Sequence, residues 1–317
     1  MERDPDLIEC ESCGRRNAPR RMSCLYCGAK LVIPVERFAR RPRLQRLEEW
    51  ERGFNIGLLP QMLDGEKLAD LVEWLGDAEG GVARILQSNR GLPFIRLSTS
   101  EERDLVCTKL KSLGLRFISL ADDELLREPS RLRSLRFADL VCVGQDIAGR
   151  SFIIGWDSIR LIVKGRLYVR RIESVESKKG RRERETIDER ELIFDHPALD
   201  LYDEAGRSWR IVASSFDFRC LGERMLLTAE GNFHLLSEAI RERASCAVYD
   251  DYASVRRLLD DVWPPAEQKA SIGWRRGGFL RINTASTTLL TNEAQLTRYG
   301  RWRYLLLEKE GGPLNSS

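Results

Sequence analysis

Histidine is almost missing from this chain. It occurs 2 times in 317 residues, which removes the commonest general base and the commonest nitrogen ligand for metals from nearly the whole sequence. His196 sits between Asp195 and Pro197, an ordinary strand-end position, and His234 follows Phe233 inside an amphipathic stretch; neither stands near a serine or cysteine nucleophile motif. Missing too are a glycine-rich phosphate loop ending in Lys-Ser/Thr, a Gly-x-Ser-x-Gly elbow and a dinucleotide fingerprint. The 49 acidic residues offer no pair that stands out for acid–base work. The chain is therefore expected not to be an enzyme.

Long apolar runs are absent as well. A membrane-crossing helix needs about 20 apolar residues, and the longest stretches here are strand-sized and broken by charges. The opening Met-Glu-Arg-Asp-Pro-Asp has neither the basic start nor the apolar centre of a secretory signal, so a reducing, cytoplasmic setting is expected. Charge of one sign is also scarce in the balance: 52 basic against 49 acidic residues leave a net +3. Overall charge alone gives no reason to expect a polyanionic partner. Hydrophobic content of 42% over 317 residues is ordinary for two or three globular units.

What is present in force is cysteine at the amino terminus. Cys10, Cys13, Cys24 and Cys27 form a Cys-x2-Cys-x10-Cys-x2-Cys array. Each short loop turns two thiolates toward one point, and two such pairs complete a tetrahedron for one structural zinc ion, Zn2+. Gly14 and Gly28 follow the second cysteine of each pair and tolerate the positive φ that folds backbone amides toward sulfur. A pair of disulfide-linked hairpins is the competing reading, and the lack of an export signal speaks against it. With four protein ligands no coordination position stays open, so the metal is expected to hold the fold rather than to do chemistry.

The segment Cys10-Glu-Ser-Cys-Gly through Ser23-Cys-Leu-Tyr-Cys-Gly-Ala-Lys-Leu resembles the bacterial zinc ribbons that begin many multidomain proteins, over residues 8 to 32. Asn17 also gives a likeness to the Ran-binding-protein type of zinc finger, but Ile8 stands where that family has tryptophan, which removes an RNA-binding inference from it. The other cysteines, Cys107, Cys142, Cys220 and Cys246, stand singly in apolar surroundings and read as buried structural thiols.

Residues 33 to 50 carry Arg37, Arg40, Arg41, Arg43 and Arg46 with Pro34 and Pro42. They read as a linker, either solvated with Glu36, Glu48 and Glu49 as counter-charges or touching phosphates beside the zinc unit. From 51 to 128 the pattern reads strand Phe54–Leu59, a helix capped by Asp64 and stopped by Gly76, strands Val82–Gln87 and Leu92–Leu97 as a hairpin, a helix opened by Thr99 and Glu102 and ended by Gly114, and strand Leu115–Leu120. That β-α-β-β-α-β order resembles ferredoxin-like domains. The strand Gly91–Leu97 holds one aromatic, Phe94, and lacks the motif of RNA-stacking sheets.

Residues 129 to 263 read as seven short strands between Phe137 and Ala213 followed by a helix over Asn232–Arg243, an arrangement similar to the pleckstrin-homology-like fold, with a short helix after residue 247. Its loop Gln145–Arg150 holds one basic residue. The run Lys178-Lys179-Gly180-Arg181-Arg182-Glu183-Arg184 reads as a solvated hairpin tip, with weak attraction to an anionic membrane as the alternative. Residues 264 to 317 read as a partly ordered extension in which Tyr299, Trp302 and Tyr304 alternate with Arg298, Arg301 and Arg303, either stacking on bases or burying the aromatic face. The whole is expected to be a multidomain α+β protein that works through protein partners as an interaction or scaffold component, with nucleic-acid binding through the ribbon and its arginine-rich linker as the alternative.

Overall fold

The chain opens with two short strands, Ile8–Glu9 (β1) and Arg16–Asn17 (β2), paired antiparallel around the first cysteine pair. In this computed structural model residues 8–17, 23–29, 31, 47, 51–76, 80–179, 183–276 and 281–311 are described. The rest is mixed α+β, with a small three-stranded antiparallel sheet and a large nine-stranded one.

The small sheet is built around Phe54–Leu58 (β3), whose last four residues are buried. Helix Gly65–Leu75 (α1) follows, with Asp64 accepting the Glu66 amide at its start and Gly76 closing it at φ 71°. Then comes Gly81–Ser88 (α2), where the sequence pattern predicts a strand. Val82, Ile85 and Leu86 are buried at helical spacing, and Gly80 and Asn89, both left-handed, punctuate the two ends. The apolar run was too short for periodicity to separate helix from strand, and tertiary burial of that one face decides it.

Strand Pro93–Leu97 (β4), helix Ser100–Ser112 (α3), strand Phe117–Ala121 (β5) and the one-turn helix Asp122–Leu125 (α4) complete the layer. Thr99 caps α3 by accepting the Glu102 amide at 3.2 Å. The order is β4-β3-β5, so the expected βαββαβ ferredoxin-like unit is instead β-α-α-β-α-β with three strands. β4 pairs with β3, not with the segment before it.

The large sheet takes Ser130–Phe137 (β6), Val141–Asp146 (β7), Ser151–Gly155 (β8), Ile159–Lys179 (β9), Glu183–Asp203 (β10) and Ser208–Val212 (β11). Helix Ala229–Arg243 (α5), strand Val248–Asp251 (β12), helix Arg256–Leu259 (α6), strands Ala266–Arg276 (β13) and Arg281–Thr291 (β14) and helix Glu293–Gly311 (α7) follow. The order is β13-β14-β9-β10-β11-β6-β7-β8, with β12 beside β9, and only β11–β6 and β12–β9 are parallel. The expected seven short strands are thus six, two of them 21 residues long.

Gly165 and Pro197, which look like breakers, lie within unbroken ladder pairing. Gly165 marks where β9 exchanges β12 for β14 as neighbour. A Cβ there would meet Tyr252 at 3.0 Å and Leu296 at 3.1 Å, so the missing side chain makes room for the tyrosine ring and the leucine of α7 to close on the strand. Asn292 seals the exchange: its amide donates to the Arg166 carbonyl at 2.9 Å and accepts the Tyr168 N–H at 2.7 Å.

Both faces of the sheet's centre are covered, as strand alternation shows. Ile162, Leu199, Leu201, Trp209 and Ile211 pack with Phe233, Leu236 and Ile240 of α5. Leu161, Val163, Ala198 and Val212 face the other way, into one core shared with the three-stranded layer and α7. On that side Arg210 makes a two-pronged pair with Asp200, both bonds 2.7 Å, and reaches Glu293, which also pairs with Arg131. Among the described residues no helix is long and apolar enough to cross a membrane.

Candidate metal centre

Two identical turns build the site. In the first, the Gly14 amide donates to the Cys10 carbonyl at 2.7 Å and Cys10 N–H to the Arg15 carbonyl at 3.0 Å. In the second, Gly28 donates to Cys24 at 3.0 Å and Cys24 to Ala29 at 2.8 Å. Gly14 and Gly28 both take left-handed φ, 65° and 72°, which lets each chain reverse immediately after its second cysteine. Cys10 and Cys24 are buried, Cys13 and Cys27 exposed.

The turns bring all four sulfurs within 4.8 Å of one another. Cys10 lies 3.6 Å from Cys27 and Cys13 3.5 Å from Cys24. A tetrahedron with zinc–sulfur bonds of about 2.3 Å has edges of about 3.8 Å, so the donor set fits a tetrahedral ion with small adjustment.

Buried Asn17 ties the two turns together. Its amide donates to the Arg15 carbonyl at 2.9 Å and to the Cys24 sulfur at 3.5 Å, while its carbonyl accepts the Leu25 N–H at 2.8 Å. The Tyr26 N–H adds a second donor to Cys24 at 3.4 Å. Such outer contacts orient ligands and disperse thiolate charge. Sequence spacing pointed to the cysteines but not to this role, for which the only signal was an Asn between the two pairs.

The acidities of Cys13, Cys24 and Cys27 reflect competition for charge within the cluster. Burial pushes the Cys24 thiol up, but the Tyr26 and Cys27 amides and the Asn17 side chain outweigh it and bring it to about 6. At Cys13 the Arg15 backbone donor lowers the value, yet desolvation and the three neighbouring sulfurs together push it up to about 12. Cys27 is raised too, despite the Ala29 amide. One thiolate makes the next costly at this separation, and a bound cation removes that conflict.

Among the described residues, the other sequence-predicted groups do not gather into a site. Arg37, Arg40, Arg41, Arg43 and Arg46 lie outside the described residues. Tyr299, Trp302 and Tyr304 are 1%, 0% and 4% exposed; the α7 pattern buries them, with the Trp302 indole donating to the Gly91 carbonyl at 2.7 Å and Tyr304 stacked on Tyr202. They are closed to nucleobases. His196 stacks beside Phe194 and His234 pairs with Glu238 on the same helix. Cys142 is buried, Cys107 and Cys220 half-buried, but Cys246 is exposed, contrary to the expected burial of all four; the chain leaves α5 there and no element covers it.

Lys178, Lys179 and Arg184 of the basic run stand on the paired ends of β9 and β10, and residues 180–182 lie outside the described residues. A cleft lined by Ser134, Arg136, Asp217 and Cys220 brings a thiol near a carboxylate. Burial pushes Cys220 up to about 11 and Asp217 adds to it, so it is a neutral thiol at physiological pH.

Set against protein-family models, curated proteins and solved structures, the chain matches none of them.

Proposed function

We propose that this is a zinc-binding, non-enzymatic interaction protein whose amino-terminal zinc ribbon, residues 8 to 32, is folded by one structural Zn2+ held by Cys10, Cys13, Cys24 and Cys27. The observation that carries the reading is the four-sulfur cluster within 4.8 Å. The cluster supplies every ligand a tetrahedral ion needs, which leaves no place for substrate and makes the metal a fold-holding group.

The interaction role draws support from β10. Between Glu183 and Pro197 its outer edge has no ladder partner among the described residues, and Leu192, Ile193 and Phe194 on it are 46%, 57% and 44% exposed. An open strand edge with apolar side chains is a template for an added strand from a partner.

Elemental analysis of protein purified without added metal tests the first half. One zinc per chain is expected, and none in a Cys10→Ser, Cys24→Ser variant. Capture from a cell extract of the source organism tests the second, with Ile193→Lys placed on the open edge. A partner retained equally by wild type and variant, or none at all, would count against the edge.

A further inference from the structure

The large sheet ends on one side at β8, which among the described residues pairs only with β7. Its ladder is closed at both ends: the Asp146 amide donates to the Arg150 carbonyl and the Trp156 amide to the Leu140 carbonyl, each at 3.0 Å. Hydrogen-bonded pairs alternate along an antiparallel ladder, so Phe152 and Ile154 direct their backbone groups to β7. Ser151, Ile153 and Gly155 turn theirs outward. The Gly155 carbonyl accepts the Ser158 amide at 3.2 Å and the Ser158 hydroxyl at 2.8 Å, while among the described residues no strand meets the others.

The other open edges of this sheet are guarded by charge, as exposed edges commonly are. On β13 exposed Glu267 and Lys269 pair at 3.0 Å, and on β10 Glu189, Glu191 and Asp195 are exposed. β8 reads Ser-Phe-Ile-Ile-Gly, without charge, proline or bulge, and Ile153 at its centre is 69% exposed. Such an edge calls for a cover.

Register selects that cover. A two-fold axis that sets a strand antiparallel to its own copy stands perpendicular to the sheet, so one residue meets itself on the axis. With the axis at Ile153, Phe152 stands opposite Ile154 of the copy and Ser151 opposite Gly155, and no charged pair arises within the strand. Aromatic beside β-branched is a favourable cross-strand pair. The two Ile153 residues exchange amide and carbonyl, and each Gly155 amide meets the Ser151 carbonyl of the other copy, so the outward groups are matched. On the outer face Val143 stands directly opposite Ile153 on β7, which continues the apolar row on both sides of the axis. Beyond the strand, the exposed Arg150 end of each copy comes to the exposed Asp157 end of the other. The β10 edge fails the same test: an axis at Leu192 sets Glu189 against Asp195, and one at Ile193 sets Glu191 against Asp195.

We infer that two copies of this chain associate through β8, paired antiparallel about Ile153, so that their nine-stranded sheets join into one. A strand this short lies at the low end of interface size, so the dimer dissociates on dilution through the micromolar range. The surface is distinct from the metal centre and from the β10 edge.

Sedimentation equilibrium of the zinc-loaded full chain tests this, with the mass rising toward that of two chains as concentration increases. Ile153→Lys should weaken self-association by about tenfold or more, because it sets two ammonium groups against each other on the axis. At the dilute end it should melt as wild type does, since that side chain is exposed in the single chain. Ile193→Lys on β10 and Leu227→Lys, at a fully exposed apolar position before α5, should dimerise as wild type. Opposed α-carbons of a hydrogen-bonded pair lie about 5.5 Å apart, within the span of a disulfide. Ile153→Cys in a Cys246→Ser background should therefore cross-link to its copy under mild oxidation, much faster than Ile193→Cys in the same background.

A single-chain mass at every concentration, a dimer indifferent to Ile153→Lys, or cross-linking no faster at residue 153 than at 193 would overturn the assignment. Loss of the dimer in Ile193→Lys or Leu227→Lys would overturn it as well. None of these results touches zinc content or the capture of a partner at β10, so a failure here is distinguishable from a failure of the proposed function.

Discussion

Removing the metal should unfold the amino-terminal knuckle and leave the body standing. The buried apolar cluster there consists of Cys10, Cys24 and Leu31 with Ala29 against it. Burying a leucine-sized side chain is worth about 1.5–3 kcal/mol, whereas ordering backbone costs about 1–2 kcal/mol for every residue. Burial over residues 8–31 therefore falls several-fold short, and zinc, worth about 10–16 kcal/mol in isolated finger peptides, supplies the difference. This cluster shares no residue with the two larger cores, so its loss should not propagate. The assay is built into the sequence: the seven tryptophans begin at Trp50, so indole fluorescence reports the body alone. Cobalt exchanged for zinc gives a thiolate charge-transfer band that reports the knuckle. With a strong chelator the cobalt band should vanish and protease should cut between Cys13 and Cys24, while the tryptophan melting temperature moves by no more than about 1 °C, well under the shift that 1 kcal/mol produces. A knuckle that stays protease-resistant without metal, or a body that melts with it, refutes the reasoning.

Trp302→Ala should destabilise the body by about 3–5 kcal/mol, because the ring is 0% exposed, sits edge-on against Trp263 and holds the Gly91 carbonyl; denaturant unfolding measures it, and a loss under 1 kcal/mol would remove α7 as a core element. Asp146 receives the Ala148 and Arg150 amides and the Arg150 guanidinium. Burial pushes its carboxyl up, but these donors outweigh that and hold it below its ordinary 3.8. A depressed carboxyl stabilises above its unfolded value and loses that contribution as pH falls through the folded one, so Asp146→Asn should flatten the melting-temperature decline below about pH 4. Unchanged acid sensitivity in the variant would contradict it. With metal bound, a thiol reagent should modify exposed Cys246 first, half-buried Cys107 and Cys220 slowly, and Cys142 only on unfolding, since burial pushes that last thiol to about 12; peptide mapping against time reads the order.

Local chemistry was legible in the residues themselves. The four cysteines are close in sequence and their two turns need only a glycine each, so spacing alone identifies the cluster. Asp64 and Thr99 cap their helices as their side chains dictate, and Gly76 ends the first. Where a segment could satisfy two patterns, the residues did not choose. Val82–Gln87 is as apolar for a strand as for a helix, and the aromatic–basic alternation of Tyr299 to Tyr304 fits a base-stacking face as readily as a buried one.

The sequence by itself determined the four-cysteine cluster and the capped helices, because each depends on residues within a few turns of chain. Tertiary structure alone decided that Gly165 is a crossing point rather than a break, since only Tyr252 and Leu296 packed against it make its missing side chain useful. It decided that Trp302 lies in the core, because Gly57 leaves room for the ring. It also decided that β14 lies beside β9. Strand register between distant segments is set by the packing of both, so no reading of either segment alone reveals the pairing.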